Sequence, residues 1–157
     1  MRDILFVDMD GTLCEFSVEG NILPPSVDWN KAGYFTLRRP VMPSIEKLIK
    51  IKQQYPGTII IILTAVPTKI GQHEKMDWIK DYGLDNYVDA VVFVDYPYGN
   101  KVRMLEYVCK QNSYMMENVL LIDDDLSILF EAQDNGIDVM HVSTFICRSP
   151  KEIVQRP

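Results

Sequence analysis

The chain has 157 residues, of which 47% are hydrophobic and 24% are charged. These values are ordinary for a folded single domain, and they exclude a disordered tail, a collagen-like fibre and a coiled-coil rod. Sixteen basic side chains against 22 acidic ones give a net charge of −6, which excludes non-specific attraction to nucleic acid. An anionic ligand is therefore expected to be held by local charge or by a metal ion.

The cysteines and the apolar stretches indicate the compartment. Cys14, Cys109 and Cys147 are widely spaced without a CxxC pair, as is typical of reduced thiols in the cytosol. The first apolar run is short and ends at Asp8, so it does not fit a secretory signal. The longest apolar stretch, 59–63, is far below the ~20 residues that a membrane span needs. We expect a soluble cytoplasmic protein without membrane contact.

Five short segments, most of them rich in Ile and Val, are predicted to be strands. They are Ile4–Val7, Thr58–Leu63, Ala90–Val94, Val119–Ile122 and Val139–Val142. Their apolar residues follow one another without alternation, which is typical of strands buried between two helical layers.

Four segments with helical periodicity lie between or after these strands. They are Ser44–Tyr55, His73–Tyr82, Lys101–Gln111 and Leu126–Asn135. Strands that alternate with helices indicate parallel pairing through right-handed crossovers. The sequence therefore predicts a doubly wound, Rossmann-like α/β fold, with residues 1–157 as one domain.

One segment interrupts the alternation. Residues 14–42 form too long a stretch for an ordinary strand–helix loop. The segment carries the aromatic residues Phe16, Trp29 and Phe35, together with an arginine pair that begins at Arg38. This composition predicts a small cap inserted after the first strand. The alternative is a surface loop packed by its own aromatic residues.

Polar side chains follow the predicted strands at their carboxyl ends, where open α/β sheets bind ligands. Asp8 and Asp10 follow the first strand, and Thr64 follows the second. Lys101 opens the helix after the third strand, and an acidic run, 123–125, follows the fourth. The last acid of this run is predicted to cap the next helix. Random placement of polar residues would rarely give this distribution.

These residue types suit phosphoryl transfer. Asp8 and Asp10 stand at i and i+2, so they face one side of an extended chain and can flank one substrate. Two carboxylates repel a phosphate dianion unless a hard cation such as Mg²⁺ lies between them. Thr64 and Lys101 can then bind phosphate oxygens, and the turn opened by Gly11 offers further backbone donors.

Four motifs in this order resemble the haloacid dehalogenase-like superfamily of phosphohydrolases. The first is Asp8–Leu13, with the sequence DMDGTL, which is the most specific of the four. Ile61–Ala65 is similar to the second motif, Asn100 with Lys101 to the third, and Leu120–Asp124 to the fourth. The resemblance covers the whole predicted core.

The resemblance implies a role for each motif residue. Asp8 would be the nucleophile that forms an aspartyl-phosphate and also a Mg²⁺ ligand. Asp10 would exchange protons with the leaving group and with water, and its carbonyl oxygen would bind the metal. Asp124 would be the third ligand, with Asp123 as its alternate or its support. The implied phosphate-binding residues are Thr64, Ala65 and Lys101.

One branch of the superfamily is more similar than the others. Gly33–Phe35, Arg39–Ser44, and Glu74–Ile79 ahead of Gly83 resemble the C-type 5′(3′)-deoxyribonucleotidases. This resemblance implies a nucleoside monophosphate as substrate. The residues it suggests for stacking on a nucleobase are Phe16, Trp29 and Phe35, and Arg38 is a candidate for contact with phosphate or the base edge.

The chain departs from that branch in a shorter cap and in the sequence Ala65–Pro67 after Thr64. A short cap leaves the site open, either for larger substrates or for closure by a second copy of the chain. A phosphatase acting on a sugar phosphate or a polynucleotide end is the first alternative. A non-catalytic phospho-aspartate switch is the second, although the order Asp, Thr, Lys, acid pair differs from that of receiver domains.

Overall fold

The computed structural model describes residues 1–16 and 32–155, and its centre is a five-stranded parallel sheet. The strands are β1 (Ile4–Val7), β2 (Ile59–Val66), β3 (Ala90–Asp95), β4 (Val119–Asp123) and β5 (Asp138–His141). They lie in the order β3-β2-β1-β4-β5, and every neighbouring pair is parallel. This arrangement confirms the doubly wound α/β fold.

Six α-helices are present in the described ranges. They are α1 (Met42–Gln54), α2 (Lys69–Asp81), α3 (Lys101–Asn112), α4 (Leu126–Asp134), α5 (Val142–Cys147) and α6 (Pro150–Val154). The four predicted helices correspond to α1–α4, with shifted ends. The start of α2 shifts most, because the Thr68 side chain caps the helix by accepting a hydrogen bond from the Gly71 N–H at 3.1 Å.

The C-terminal part differs from the sequence prediction. The predicted last strand, Val139–Val142, ends one residue too late, because β5 ends at His141 and Val142 begins α5. The imidazole of His141 accepts a hydrogen bond from the Ser143 N–H and so caps this short helix. Helix α6, which no predicted element covered, begins at a capping box formed by Ser149 and Glu152.

Successive residues of β1 face opposite helical layers. Leu5 and Val7 belong to a core formed with α1, α2, α5 and α6. Ile4 and Phe6 belong to a second core formed with α3 and α4. All four side chains are buried, which explains why the strand carries no polar residue before its end.

The strand order places a binding crevice at one defined point. The chain builds β1, β2 and β3 in one direction and then returns past β1 to add β4 and β5 on the other side. At such a reversal the loops after the two central strands separate, here after Val7 and at Asp123. Within the described ranges, none of the helices has the length and apolar character that crossing a bilayer demands.

Alanine variants of two isoleucines, one buried and one exposed, test how much the sheet core contributes to the free energy of unfolding. Ile60 in β2 is fully buried, whereas Ile70 in α2 is 55% exposed. We expect Ile60→Ala to lower the free energy of unfolding by about 2–5 kcal/mol, because it leaves a cavity in the core. Ile70→Ala should change it by less than about 0.5 kcal/mol. Urea denaturation of both variants measures the difference, and similar losses would contradict the assignment of the core.

Candidate active site

A cleft of about 510 Å³ opens at the carboxyl edge of the sheet, at the reversal point between β1 and β4. Its polar lining includes Asp8 and Asp10 after β1, Lys101 at the start of α3, and the two acids Asp123 and Asp124 at the end of β4. The sequence motifs therefore converge in space, although the chain separates them by up to three crossover units.

Lys101 joins the two central strands electrostatically. Its Nζ donates to Oδ1 of Asp8 at 2.5 Å and to Oδ2 of Asp123 at 2.8 Å. The side chains of both acids are almost fully buried, and that of Lys101 is 10% exposed. Asn100 holds the start of α3 by accepting a hydrogen bond from the Arg103 N–H at 2.8 Å, and this cap fixes the position from which Lys101 reaches the cleft.

Three carboxylates in the cleft could hold a metal ion. Asp8, Asp123 and Asp124 each offer an oxygen, and the three oxygens lie within 4.8 Å of one another. A Cβ atom at Gly11 would lie 2.2 Å from a carboxylate oxygen of Asp124, so the glycine leaves the space in which this third acid stands. An all-oxygen donor set of this kind suits Mg²⁺, which prefers hard oxygen ligands. The residues present therefore fit the ion that the sequence predicts.

Two carboxylates of this cluster, those of Asp8 and Asp124, have raised pKa values. Burial, together with the neighbouring carboxylates of Asp123 and Asp10, raises the pKa of Asp8 to about 8 against the opposing effect of Lys101. Burial and the Asp123 carboxylate also raise the pKa of Asp124. A divalent cation favours the ionised form of each ligand, so the cluster without one is short of positive charge.

Asp10 lies in a different environment, between two buried cations. The guanidinium Nη1 of Arg38 donates to its Oδ1. On the other side, Nζ of Lys75 donates to its Oδ2 at 2.5 Å. The hydroxyl of Thr64 lies 3.3 Å from the same Oδ2. Both oxygens of this carboxylate are therefore held by side chains from separate parts of the chain.

The two cations reverse the effect of burial on Asp10. Burial alone would raise its pKa, but the charges of Lys75 and Arg38 lower the pKa below its ordinary value. The carboxylate in turn raises the pKa of Arg38, against the opposing effect of burial. Asp8 and Asp10, two residues apart, thus have their pKa values moved in opposite directions.

Aromatic rings line the back of this cationic pair. The ring of Phe35 lies 5.0 Å from the Arg38 guanidinium carbon and 4.7 Å from Nζ of Lys75. The Arg38 guanidinium also faces the rings of Tyr34, at 4.7 Å, and Phe16, at 5.8 Å. These distances fall in the range of cation–π attraction, which offsets part of the cost of burying two positive charges.

The structure places the predicted site residues unequally. Those that line the cleft are Asp8, Asp10, Phe16, Ala65, Lys101, Asp123 and Asp124. Thr64 is fully buried and faces Asp10 rather than the open cleft. The structure also confirms Asp125 as the cap of α4, since it accepts a hydrogen bond from the Ser127 N–H at 2.8 Å.

The positions of the predicted cap residues depart further from the sequence prediction than those of the motif residues do. Phe35 is 1% exposed and packs against α2, so in this structure it is a core residue without an open face for a nucleobase. Arg38, also 1% exposed, binds Asp10 rather than the cleft surface. Trp29, like the rest of residues 17–31, lies outside the described residues. Of the cap candidates, Phe16 alone lines the described cleft.

Sequence reasoning assigned no role in the site to Lys75. The apolar residues at helical spacing in this segment are Met76, Ile79 and Tyr82, but the residues of α2 that are buried are Gly71, Lys75, Trp78 and Ile79. A lysine between a buried glycine and a buried tryptophan, at spacings of four and three, was the available signal. A charged side chain on a buried helix face needs a partner, and here that partner is Asp10.

Comparison with known proteins gives the fold. Neither a protein-family model nor a curated protein matches the chain. A predicted phosphatase from Clostridium acetobutylicum is similar, with a TM-score of 0.66 and 14% identity over 88% of this chain and 83% of that one. A haloacid dehalogenase-like family hydrolase from Streptococcus pneumoniae gives a TM-score of 0.61 and 15% identity, over 87% and 82% of the two chains.

A third structure was solved with a metal ion. It is the N-terminal part of a Bacteroides fragilis protein, containing a phosphatase domain complexed with Mg. The TM-score is 0.59 at 14% identity, over 89% of this chain and 36% of that one. The three similarities show that this chain shares its fold with the two phosphatases and with the haloacid dehalogenase-like hydrolase.

The raised pKa of Asp8 predicts pH-dependent magnesium binding. Below pH 8 a proton competes for Asp8, so we expect the apparent Mg²⁺ affinity to rise about 50-fold between pH 6 and pH 8. Without metal, the folded form keeps this proton up to about pH 8 and the unfolded chain loses it near pH 4, so the stability contributed by Asp8 falls over that interval. Calorimetric titration with MgCl₂ measures the affinity; a pH-independent value would contradict the prediction.

The space beside Gly11 provides a second test of the metal cluster. Gly11 and Gly83 both have positive φ angles, 87° and 67°, but a Cβ atom would meet Asp124 only at Gly11. Both alanine variants should lose about 1 kcal/mol of stability through backbone strain. Gly11→Ala should in addition weaken Mg²⁺ binding about 10–100-fold by displacing Asp124, whereas Gly83→Ala should leave it unchanged. Equal affinities in calorimetry would exclude Asp124 from the site.

Proposed function

We propose that this protein is a Mg²⁺-dependent phosphomonoester hydrolase that works through an aspartyl-phosphate on Asp8. The observation that carries the proposal is the position of Asp8, which lies between Lys101 and two further acids at the carboxyl end of the central strand. Asp10 is held separately within the same cleft. A nucleophile, a cation for phosphate, a metal cluster and a proton carrier are thus present together.

The charges of the site support an anionic phosphate substrate that binds together with a divalent metal. Four carboxylates, those of Asp8, Asp10, Asp123 and Asp124, face three cations, those of Arg38, Lys75 and Lys101. A phosphate dianion would be repelled by this set alone. When bound, Mg²⁺ screens the carboxylates, keeps Asp8 ionised and polarises the phosphoryl group. Asp8, Asp123 and Asp124 would hold it, together with the backbone carbonyl of Asp10.

The proposed reaction has two steps. In the first, a carboxylate oxygen of Asp8 attacks phosphorus, the bond to the leaving oxygen breaks, and Asp10 gives that oxygen a proton. In the second, Asp10 takes a proton from water, which attacks the phosphorus and releases Asp8 and inorganic phosphate. Lys101 neutralises a phosphoryl oxygen in both steps.

The electrostatics of Asp10 suit the second step directly. Because Lys75 and Arg38 lower its pKa, the resting residue is a carboxylate, which is the form that accepts a proton from water. Donation in the first step requires a proton that arrives with the substrate or from solvent. A substrate that binds as the phosphate monoanion supplies one.

A nucleoside monophosphate is the proposed substrate. Two features that resemble the deoxyribonucleotidase branch contact each other: the Glu74 carboxylate accepts hydrogen bonds from the N–H groups of Gly33, at 2.5 Å, and Phe35, at 3.1 Å. The indole N–H of Trp78 also donates to the carbonyl oxygen of Arg38 at 2.9 Å. These contacts support the proposal that the described end of the predicted cap, from Gly33 to Arg38, is docked on α2, with Phe16 as an aromatic contact to the cleft.

A substrate panel with nucleophile variants tests this function. We expect Mg²⁺-dependent release of phosphate, fastest from dUMP, dTMP or another nucleoside monophosphate, and its loss on chelation of the metal. Asp8→Asn should lower kcat by about 10⁴-fold or more, because the amide is no nucleophile. Asp134→Asn, at an exposed position in α4, is the matched control and should retain activity.

Each outcome of the panel has a distinct reading. Turnover of sugar phosphates or 3′-phosphorylated oligonucleotides alone would contradict the nucleotide assignment but keep the hydrolase. Normal turnover by Asp8→Asn would contradict the mechanism. Stable phosphorylation of Asp8 without turnover of any substrate would indicate a phospho-aspartate switch instead.

A further inference from the structure

The ammonium group of Lys75 is fully buried in the site and is given no task by the proposed reaction. Its Nζ donates to Oδ2 of Asp10 at 2.5 Å, to the hydroxyl oxygen of Thr64 at 2.6 Å and to the carbonyl oxygen of Ala65 at 2.8 Å. An ammonium group has three protons, so these acceptors use all of them. Lys75 therefore has no donor left for a phosphate oxygen, and any effect it has on the reaction passes through its partners.

The bond to Thr64 orients that hydroxyl group. Since Oγ1 of Thr64 accepts from Lys75, its own proton must point elsewhere, and the acceptor within reach is Oδ2 of Asp10 at 3.3 Å. The same Oδ2 is already bound by Lys75, while Oδ1 is bound by Arg38. The carboxylate cannot rotate without breaking one of these charge-assisted hydrogen bonds.

Burial of the Lys75 ammonium group carries a desolvation cost, and the neighbouring residues of α2 and the cap segment accommodate the group. The ring of Phe35 lies 4.7 Å from Nζ of Lys75, and Gly71, one helical turn earlier, leaves room for that ring. A buried ion pair of this kind adds little net stability over an apolar pair of similar volume. A role in placing Asp10 explains its presence better than a role in holding the fold together.

We propose that Lys75 is a positioning residue for the proton-transfer steps, fixing the Asp10 carboxylate and the Thr64 hydroxyl relative to the leaving group. This inference rests on the proposed function, because it acts on the proton carrier of that reaction. It requires that loss of Lys75 lowers the rate of leaving-group release most for substrates whose leaving oxygen needs a proton. An alkyl phosphomonoester, which leaves as an alcohol, needs one, whereas p-nitrophenyl phosphate leaves as a stable phenolate.

Competing roles for Lys75 predict different kinetics. A lysine that binds phosphate would affect both substrates equally and mainly through KM. A lysine that only supports the fold would lower both rates in proportion to the loss of folded protein. A positioning residue for Asp10 lowers the rate of the first step on the alkyl substrate selectively and leaves KM nearly unchanged. It lowers the rate of the second step, which both substrates share, equally for the two.

The experiment compares Lys75→Met with Lys80→Met, the same change at an exposed position of the same helix. The rate to measure is that of the first step, followed as leaving-group release in a single turnover, because Asp10 also serves the hydrolysis step that both substrates share. We expect Lys75→Met to lower this rate for 2-deoxyribose 5-phosphate or dUMP about 10²–10⁴-fold, and for p-nitrophenyl phosphate by less than about tenfold. Lys80→Met should match the parent on both.

Asp10→Asn should show the same selectivity, and Lys75→Met added to it should have no further effect. Equal losses of the first-step rate on both substrate types, or independent losses in the double variant, would overturn the proposal.

Lys75→Arg guards against a variant that fails to fold. It keeps the charge, but its planar fork cannot reproduce the three-way contact of an ammonium group. We expect the same selective loss on the alkyl substrate with a preserved melting temperature; a parent-like rate of the first step on both substrates would overturn the proposal. Absence of Asp8-dependent turnover in the parent protein would contradict the proposed function and this inference with it. If both Lys75 variants lose the same rate on the alkyl substrate as on p-nitrophenyl phosphate, while Asp8-dependent turnover is intact, the inference alone is overturned.

Discussion

Carboxylates that follow β1 and end β4 meet at one edge of a parallel sheet, and their mutual repulsion is the constraint on which the rest of this site depends. Parallel strands bring their carboxyl ends together, so acids that are distant in the chain become neighbours at low dielectric. The fold supplies three cations, Arg38, Lys75 and Lys101, each within hydrogen-bond reach of an acid. Their distribution, rather than their number, decides what each acid can do.

That distribution divides the cleft into two halves. Among the described residues, Lys101 alone faces the cluster of Asp8 and Asp123, where positive charge is scarce and a divalent ion would supply more. Lys75 and Arg38 both face Asp10, where positive charge is abundant. The pKa values of Asp8 and Asp10, which are separated by one residue, are therefore shifted in opposite directions. Environments that separate the pKa values of paired acids are how proteins assign the roles of nucleophile and proton carrier.

The sequence was sufficient for the scaffold because the relevant signals are local. Buried strands are continuous apolar runs, and the motif residues stand at their ends, so the sheet edge could be predicted from spacing alone. The boundary of α2 was missed because its cap, Thr68, lies directly after a proline, where the helical periodicity had not yet begun. Val142 was assigned to a strand because a β-branched apolar residue after β5 gives no local sign that His141 caps a helix there.

The half of the site around Asp10 could not be predicted in the same way. Lys75 and Asp10 are 65 residues apart, and Arg38 and Asp10 are 28 apart, with no motif spacing to connect them. A lysine or arginine is normally taken as solvent-exposed, and an aromatic residue on an insertion as a ligand contact. Both expectations failed together at Phe35, which lies against both cations. Only the tertiary packing of α2 against residues 32–40 shows that these side chains belong to one cluster.

A continuous chain of contacts joins the cap segment to the proton carrier. Glu74 holds the backbone at Gly33 and Phe35, and Trp78 holds the carbonyl oxygen of Arg38, whose side chain reaches Asp10. Nε and Nη2 of Arg38 are buried without a hydrogen-bond partner in the part of the chain that the structure describes, so the side chain is held mainly by Asp10 and its aromatic neighbours. A substitution that moves this segment therefore moves a ligand of Asp10 as well. Under the proposed function, recognition of the leaving group and placement of Asp10 as the proton carrier would for this reason not be separable.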